Sequence, residues 1–191
     1  MRIPKRAARS SGALLLTAVL LAGCSGPKHH ADPTPTRSSS PAPTPIFTSD
    51  ADALAAATDV YKKYERASDE IAHEGGDKPE RVRPYVSDAG YQHEVDEANK
   101  YKVERAHGLG YTVLNNVVLQ SRVEQGGFAT VRVYVCEDIS DVDLVDQTGK
   151  SLVSADRADY IAYVVELRSD MTRQLIIQSN TYWSGGGVCK A

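Results

Sequence analysis

Two sets of side chains could do chemistry here. The first is Glu137, Asp138, Asp141, Asp143 and Asp146, followed by Gln147-Thr148-Gly149 and Lys150. Carboxylates this dense could ligate Ca²⁺, which takes about six to eight oxygens. The glycine and closing glutamate of a calcium loop are missing at their offsets, so the run reads as a solvated acidic loop. No metal and no other cofactor is assigned. The second set is polar groups on otherwise apolar elements: Tyr91, His93 and Asp96 in a helical stretch, then Arg132, Tyr134, Tyr163 and Trp183 in strand-like runs. His93 as base with Asp96 as orienter would suit a dehydratase or isomerase. Spaced as i and i+3, however, the two are ordinary neighbours on a solvated helix face. No nucleophile–base–orienter set can be assembled, so no catalytic residue is assigned. Tyr91, Asp96, Arg132, Tyr134, Tyr163 and Trp183 stand as candidate pocket lining.

Two further features carry less. His29-His30 lies in a proline-rich stretch and is not assigned a metal. Gly185-Gly186-Gly187 is no phosphate loop, because no helix follows to present its N-terminus.

The chain's first residues read as an address. Arg2, Lys5, Arg6 and Arg9 precede the apolar run Leu14–Leu21, which is too short to span a bilayer needing about 20 apolar residues. The run closes on Leu21-Ala22-Gly23-Cys24. That box resembles the bacterial lipoprotein signal, in which the cysteine receives a diacylglyceryl group and becomes the mature N-terminus. The resemblance implies a signal peptide over 1–23 and a membrane anchor through lipid on Cys24. It places the protein at the outer face of the cytoplasmic membrane. Between Ser25 and Ser49 six prolines alternate with Ser, Thr and Ala, a composition that cannot bury a core and samples polyproline II. Residues 24–49 therefore read as a tether, and residues 50–191 as one domain near the modal size.

Six of the 22 Lys/Arg and one of the 25 Asp/Glu precede residue 50, which leaves residues 50–191 with a net charge of −8. Phosphate backbones would repel such a head, so nucleic acid is excluded as a partner. With Cys24 committed to lipid, Cys136 and Cys189 remain in an oxidising compartment, where two spare thiols most simply pair. A nucleophilic Cys136 has no evident base beside it.

The elements that must position these residues follow from periodicity. Ser49-Asp50 can cap a helix whose stripe Leu54, Ala57, Tyr61, Tyr64, Ser68, Ile71 runs to His73, before Gly75-Gly76. A short turn is expected over Arg81–Val86. A further helix is expected from Ser87 to about His107, with Tyr91, Val95 and Ala98 inward and Gly108 and Gly110 ending it. Strand-like runs follow at Tyr111–Glu124, Phe128–Cys136, Asp159–Arg168 and Arg173–Trp183. The second alternates Ala129, Val131, Val133, Val135 against Thr130, Arg132, Tyr134, the period of a half-buried strand. Leu144-Val145 and Leu152-Val153 flank a turn and predict a small hairpin. No proline follows Pro84, as a sheet ladder requires. The fold class is α+β: N-terminal helices on a curved antiparallel sheet of about four to five strands.

That order, with the helix tail Ala106-His107-Gly108-Leu109-Gly110-Tyr111 and the strand ending Val133-Tyr134-Val135-Cys136-Glu137-Asp138, resembles the nuclear transport factor 2-like superfamily, also called SnoaL-like. Lipid-anchored members occur in Gram-positive bacteria. The resemblance covers roughly residues 50–191 and implies a sheet curled into a cone around a pocket, used variously for catalysis, ligand binding or protein contact. It carries no catalytic motif. The expected function is a non-catalytic, lipid-anchored extracytoplasmic binding module, its partner an envelope protein or a small apolar molecule. The alternatives are a small pocket enzyme of dehydratase or isomerase type, and an envelope assembly scaffold.

Overall fold

A computed structural model of the protein describes residues 44–185 and 187–190. The signal segment, Cys24, the His29-His30 pair and the tether up to residue 43 lie outside them.

Helix α1 spans Asp50–His73. The Ser49 side chain accepts the Asp52 N–H at 3.1 Å, and Asp50 and Asp52 place negative charge on the first turn. Gly75 and Gly76 end it at φ of 65° and 88°, a region other residues rarely enter. A Cβ on Gly76 would overlap the Ala98 carbonyl, so this glycine also lets the next helix come close. The expected short turn forms as a 3₁₀ turn over Pro79–Val82. Helix α2 spans Asp88–Glu104, with Ser87 accepting the Gly90 N–H at 3.2 Å. It stops three residues before the expected end, because Arg105 turns left-handed at φ 52°.

The chain emerges from that turn extended. Strands β1 (His107–Leu109) and β4 (Asp143–Val145) form a two-stranded antiparallel sheet. Strands β2 (Val113–Gln125), β3 (Phe128–Asp138), β5 (Tyr160–Ser169) and β6 (Leu175–Tyr182) form a four-stranded antiparallel sheet in that order. The fold is therefore α+β, with helices packed against a sheet. Two register shifts in β2, after Leu114 and after Leu119, and one between β5 and β6 at Glu166/Leu167 bend the large sheet. The expected small hairpin forms as an antiparallel bridge between Val145 and Ser151, flanked by the Asp146 N–H on the Lys150 carbonyl at 3.0 Å and the Leu152 N–H on the Leu144 carbonyl at 2.7 Å, and β4 pairs on its other side with β1.

Alternation on β3 decides which face is core. Val131, Val133 and Val135 point at the helices and are fully buried, as are Val165 and Leu167 of β5. Against them lie Ala53, Ala57, Tyr61, Ala67 and Ile71 of α1, the alanines allowing helix and sheet to approach closely. Each buried valine or leucine contributes about 1.5–3 kcal/mol. Helix α2 buries only Ala98 fully, so it stands off the sheet and leaves space beneath it.

The head begins earlier than the expected border at residue 50. The Ile46 and Phe47 N–H groups donate to the Glu124 carboxylate at 2.7 and 3.2 Å. Arg122 donates to the Phe47 carbonyl at 2.9 Å and pairs with Asp50. Residues 44–49 are thus a strap on β2, and the Phe47 ring packs against the core.

Candidate functional site

Under α2 the structure opens a cavity of about 370 Å³, bounded by α1, α2, Tyr163 of β5 and the middle of β6. Its lining is more polar than the small apolar ligand expected from sequence would require. Tyr64 and Ser68 come from α1, His93, Glu94, Glu97 and Tyr101 from α2, and Gln178, Ser179 and Asn180 from β6. The helical contributors recur at three- and four-residue spacing, so each helix presents one side to the cavity. A second cavity of about 350 Å³ lies toward β1 and β4 and is lined by Glu65, Asp69, Thr112 and Arg157 among others. Ser68 and Tyr101 line both.

Carboxylates dominate this interior. Tyr64 Oη donates to Glu94 Oε1 at 2.7 Å, and Ser68 Oγ lies 3.5 Å from Glu94 Oε2. The Thr112 N–H and hydroxyl donate to the two Asp69 oxygens at 2.9 and 3.1 Å. Tyr61 Oη donates to Glu137 Oε1 at 2.6 Å and accepts from Asn180 Nδ2 at 2.9 Å, a chain linking α1, β3 and β6. Glu65 faces Glu137.

Burial sets their protonation. Desolvation pushes the Glu65 carboxyl well above the usual range, and the neighbouring Glu137 charge adds to it. Desolvation also raises Glu137, opposed by the Tyr61 hydrogen bond. Glu94 and Asp69 are raised by the same cause, opposed by their hydroxyl and backbone donors. Tyr64 is raised by burial and then by Glu94, and Tyr163 is pushed up to about 12, chiefly by burial. Two partly desolvated carboxyls that face one another resist both being charged, so one of them keeps its proton to higher pH and is able to give it.

Of the residues expected to line a pocket, Tyr163 lines the first cavity, as does His93. Tyr91 lies under the Arg83 guanidinium, 4.5 Å from its ring centroid. Asp96 is exposed and accepts from Gln92 Nε2 at 3.1 Å. Arg132 pairs with Glu166 at 2.6 Å on the opposite, outer face of the sheet. Tyr134 and Trp183 lie on that face too, ring centroids 5.0 Å apart, beside the exposed Val118. Five of the six are therefore away from this cavity by strand parity or helix face, although Tyr134 and Trp183 together line a separate outer-face pocket with Val118 and Val188.

The cysteines meet where the topology brings them. Cys136 near the end of β3 and Cys189 in the tail after β6 are bonded, S–S 2.06 Å and Cα–Cα 5.1 Å. Asn116 Nδ2 holds the same tail through the Val188 carbonyl at 3.2 Å.

Sequence reasoning missed Tyr61, Tyr64, Glu65, Asp69, Glu94, Tyr101 and Glu137. Glu137 had been read into the acidic loop; it is buried, 6% exposed. Its parity gives the signal, since residues 131, 133, 135 and 137 share one face of a strand. Three of the remaining acids of that run hold turns and loops. Asp138 accepts from Ser140, Asp143 from Ser151, and Asp146 from Thr148 and Lys150. No three metal-capable side chains gather among the described residues.

No family model matches this chain, and no curated protein sequence matches it. Among solved structures it is similar to the intermembrane-space region of the chloroplast protein ARC6, with a TM-score of 0.51 and 12% identity over 69% of this chain and 97% of that one. That likeness concerns the fold alone. A de novo designed β-sheet protein aligns over 71% of this chain and 93% of its own at 14% identity, but its TM-score of 0.29 carries no weight. No described helix is long and apolar enough to cross a membrane.

Proposed function

We propose that this protein is a lipid-anchored extracytoplasmic binding module whose head, of nuclear transport factor 2-like type, takes a small polar ligand beneath helix α2. The observation that carries the reading is the cavity of about 370 Å³ with convergent hydroxyl, amide and carboxylate groups from three elements. The basic and apolar leader ending in Leu21-Ala22-Gly23-Cys24 supports the anchor, and the proline-rich stretch after it supports a spacer. A screen of polar fragments against the isotope-labelled full chain should shift the amide resonances of Tyr101, Ser179 and Asn180 together. Fragments that perturb only the outer sheet face, or nothing, would refute the cavity as the site. Mass spectrometry of the membrane fraction should find a mature chain that begins at an acylated Cys24; an unacylated chain starting elsewhere would remove the anchor.

A second reading is favoured by one feature, the Glu65–Glu137 pair, whose raised carboxyls and Tyr61 partner resemble an acid–base set more than a structural contact. Under that reading the head is a small dehydratase or isomerase. Isomerisation of ketosteroids or dehydration of β-hydroxycarbonyl substrates, abolished by Glu65→Gln, would establish it, and no turnover across such a panel would reject it.

A further inference from the structure

The lining of the cavity under α2 has a sign. Its titratable side chains are Tyr64, His93, Glu94, Glu97, Tyr101 and Tyr163, and it contains no lysine or arginine. Glu94 forms no ion pair among the described residues; its oxygens meet only the hydroxyls of Tyr64 and Ser68. Those donors fix the carboxylate in place without neutralising it. Three tyrosines line the same space, and a cation held over the face of such a ring gains about 0.5–2 kcal/mol. From the carboxylate held by hydroxyls and the surrounding tyrosine rings, we infer that the cavity binds a small organic cation, an amine or quaternary ammonium, with its charged end against Glu94.

This inference rests on the reading of the head as a small-ligand binder and adds the class of ligand. An anion entering the same space would find hydroxyl and amide donors and a single histidine, but no lysine or arginine to offset the carboxylates. A neutral ligand would leave a partly desolvated Glu94 without a counter-charge. A bound cation would instead favour the charged carboxylate that burial now disfavours, so cation binding should release protons.

The test uses the full chain in a neutral detergent and three probes of similar size: benzyltrimethylammonium, benzyl alcohol and phenylacetate. Amide shifts at Tyr101, Ser179 and Asn180 report the site. The cation should bind at least about tenfold more tightly than the alcohol, with phenylacetate weakest, and Glu94→Gln should erase the difference. Arg132→Ala, on the outer sheet face, should leave it intact. Equal binding of cation and alcohol, or a preference that survives Glu94→Gln, overturns the charge assignment while leaving the cavity as a ligand site. No shift from any probe overturns the assignment as well, and the polar-fragment screen then decides separately whether the cavity is a site at all. If Glu94→Gln unfolds the head, wild-type protein decides instead: cation affinity must fall with added salt while alcohol affinity does not.

Discussion

Strand β3 contributes to two unlike surfaces through alternate residues. Inward, Val131, Val133 and Val135 are sealed against α1, and the row then ends in Glu137, a carboxyl where a fourth valine would pack. Outward, Arg132, Tyr134 and Cys136 carry an ion pair, an exposed aromatic stack and a covalent bond to the tail. The inner face is held by packing and forgoes some of it at one end to keep polar groups in place. The outer face is held by a crosslink and tolerates solvent. One strand thus carries two unlike ways of holding the fold, and the division can be tested by substitution.

The largest effect belongs to the crosslink. Replacing both Cys136 and Cys189 with alanine frees a loop closed across 53 residues, and the chain-entropy model puts the loss near 4 kcal/mol. Chemical denaturation should show it, with ligand binding under α2 unchanged once the protein is folded. A loss of binding in the folded variant would mean the two faces are not separable.

Tyr61→Phe comes next. It leaves Glu137 and Asn180 without their shared hydroxyl, at a cost of about 1–3 kcal/mol. The same region should make stability depend on pH in a set direction. Glu65 and Glu137 have raised values, so the folded chain keeps protons that the unfolded chain releases at ordinary carboxylate pH. Their stabilising contribution is complete below that pH and is lost as pH rises through the raised values. Thermal melts from pH 4 upward should show the decline, and Glu137→Gln, which keeps a polar partner but does not titrate, should flatten it. A melting temperature that climbs over this interval in wild type and not in Glu137→Gln would reverse the assignment.

The smallest effect is expected on the outer face. Arg132→Ala removes an exposed ion pair with Glu166 and should cost less than about 1 kcal/mol. A larger loss would show that this face carries structural weight beyond its crosslink.

The fold was more legible in the sequence than the site, for a physical reason. Local signals fixed α1, because a serine cap, an apolar stripe and a Gly-Gly stop all agreed, and they fixed β3 through its strict alternation. The β1–β4 pair escaped because three-residue ladders between segments far apart leave no local period; the His107–Leu109 stretch looked like a helix tail until Arg105 broke the helix. The interior acids escaped differently. Glu65 and Asp69 sit at the border of the α1 stripe, and Glu94 and Glu97 lie on a helix with a single fully buried residue, so amphipathic reasoning gave no cause to single them out. Only the gap between α2 and the sheet turns those positions inward, and no side-chain pattern encodes a gap. Glu137 was legible and was overlooked: its parity outweighs the acidity of its neighbours.

The strap over residues 44–49 governs how the head would meet a mechanical load. Arg122 and Glu124 grip the backbone at Ile46 and Phe47, upstream of the first turn of α1. A pull applied at residue 44 would therefore be met first by Arg173, which donates to the Thr44 carbonyl at 3.2 Å, and then by strand β2, inside a sheet whose ladder bonds share the strain. Helix α1, and the carboxyls it presents to the interior, would feel no pull until that grip had failed.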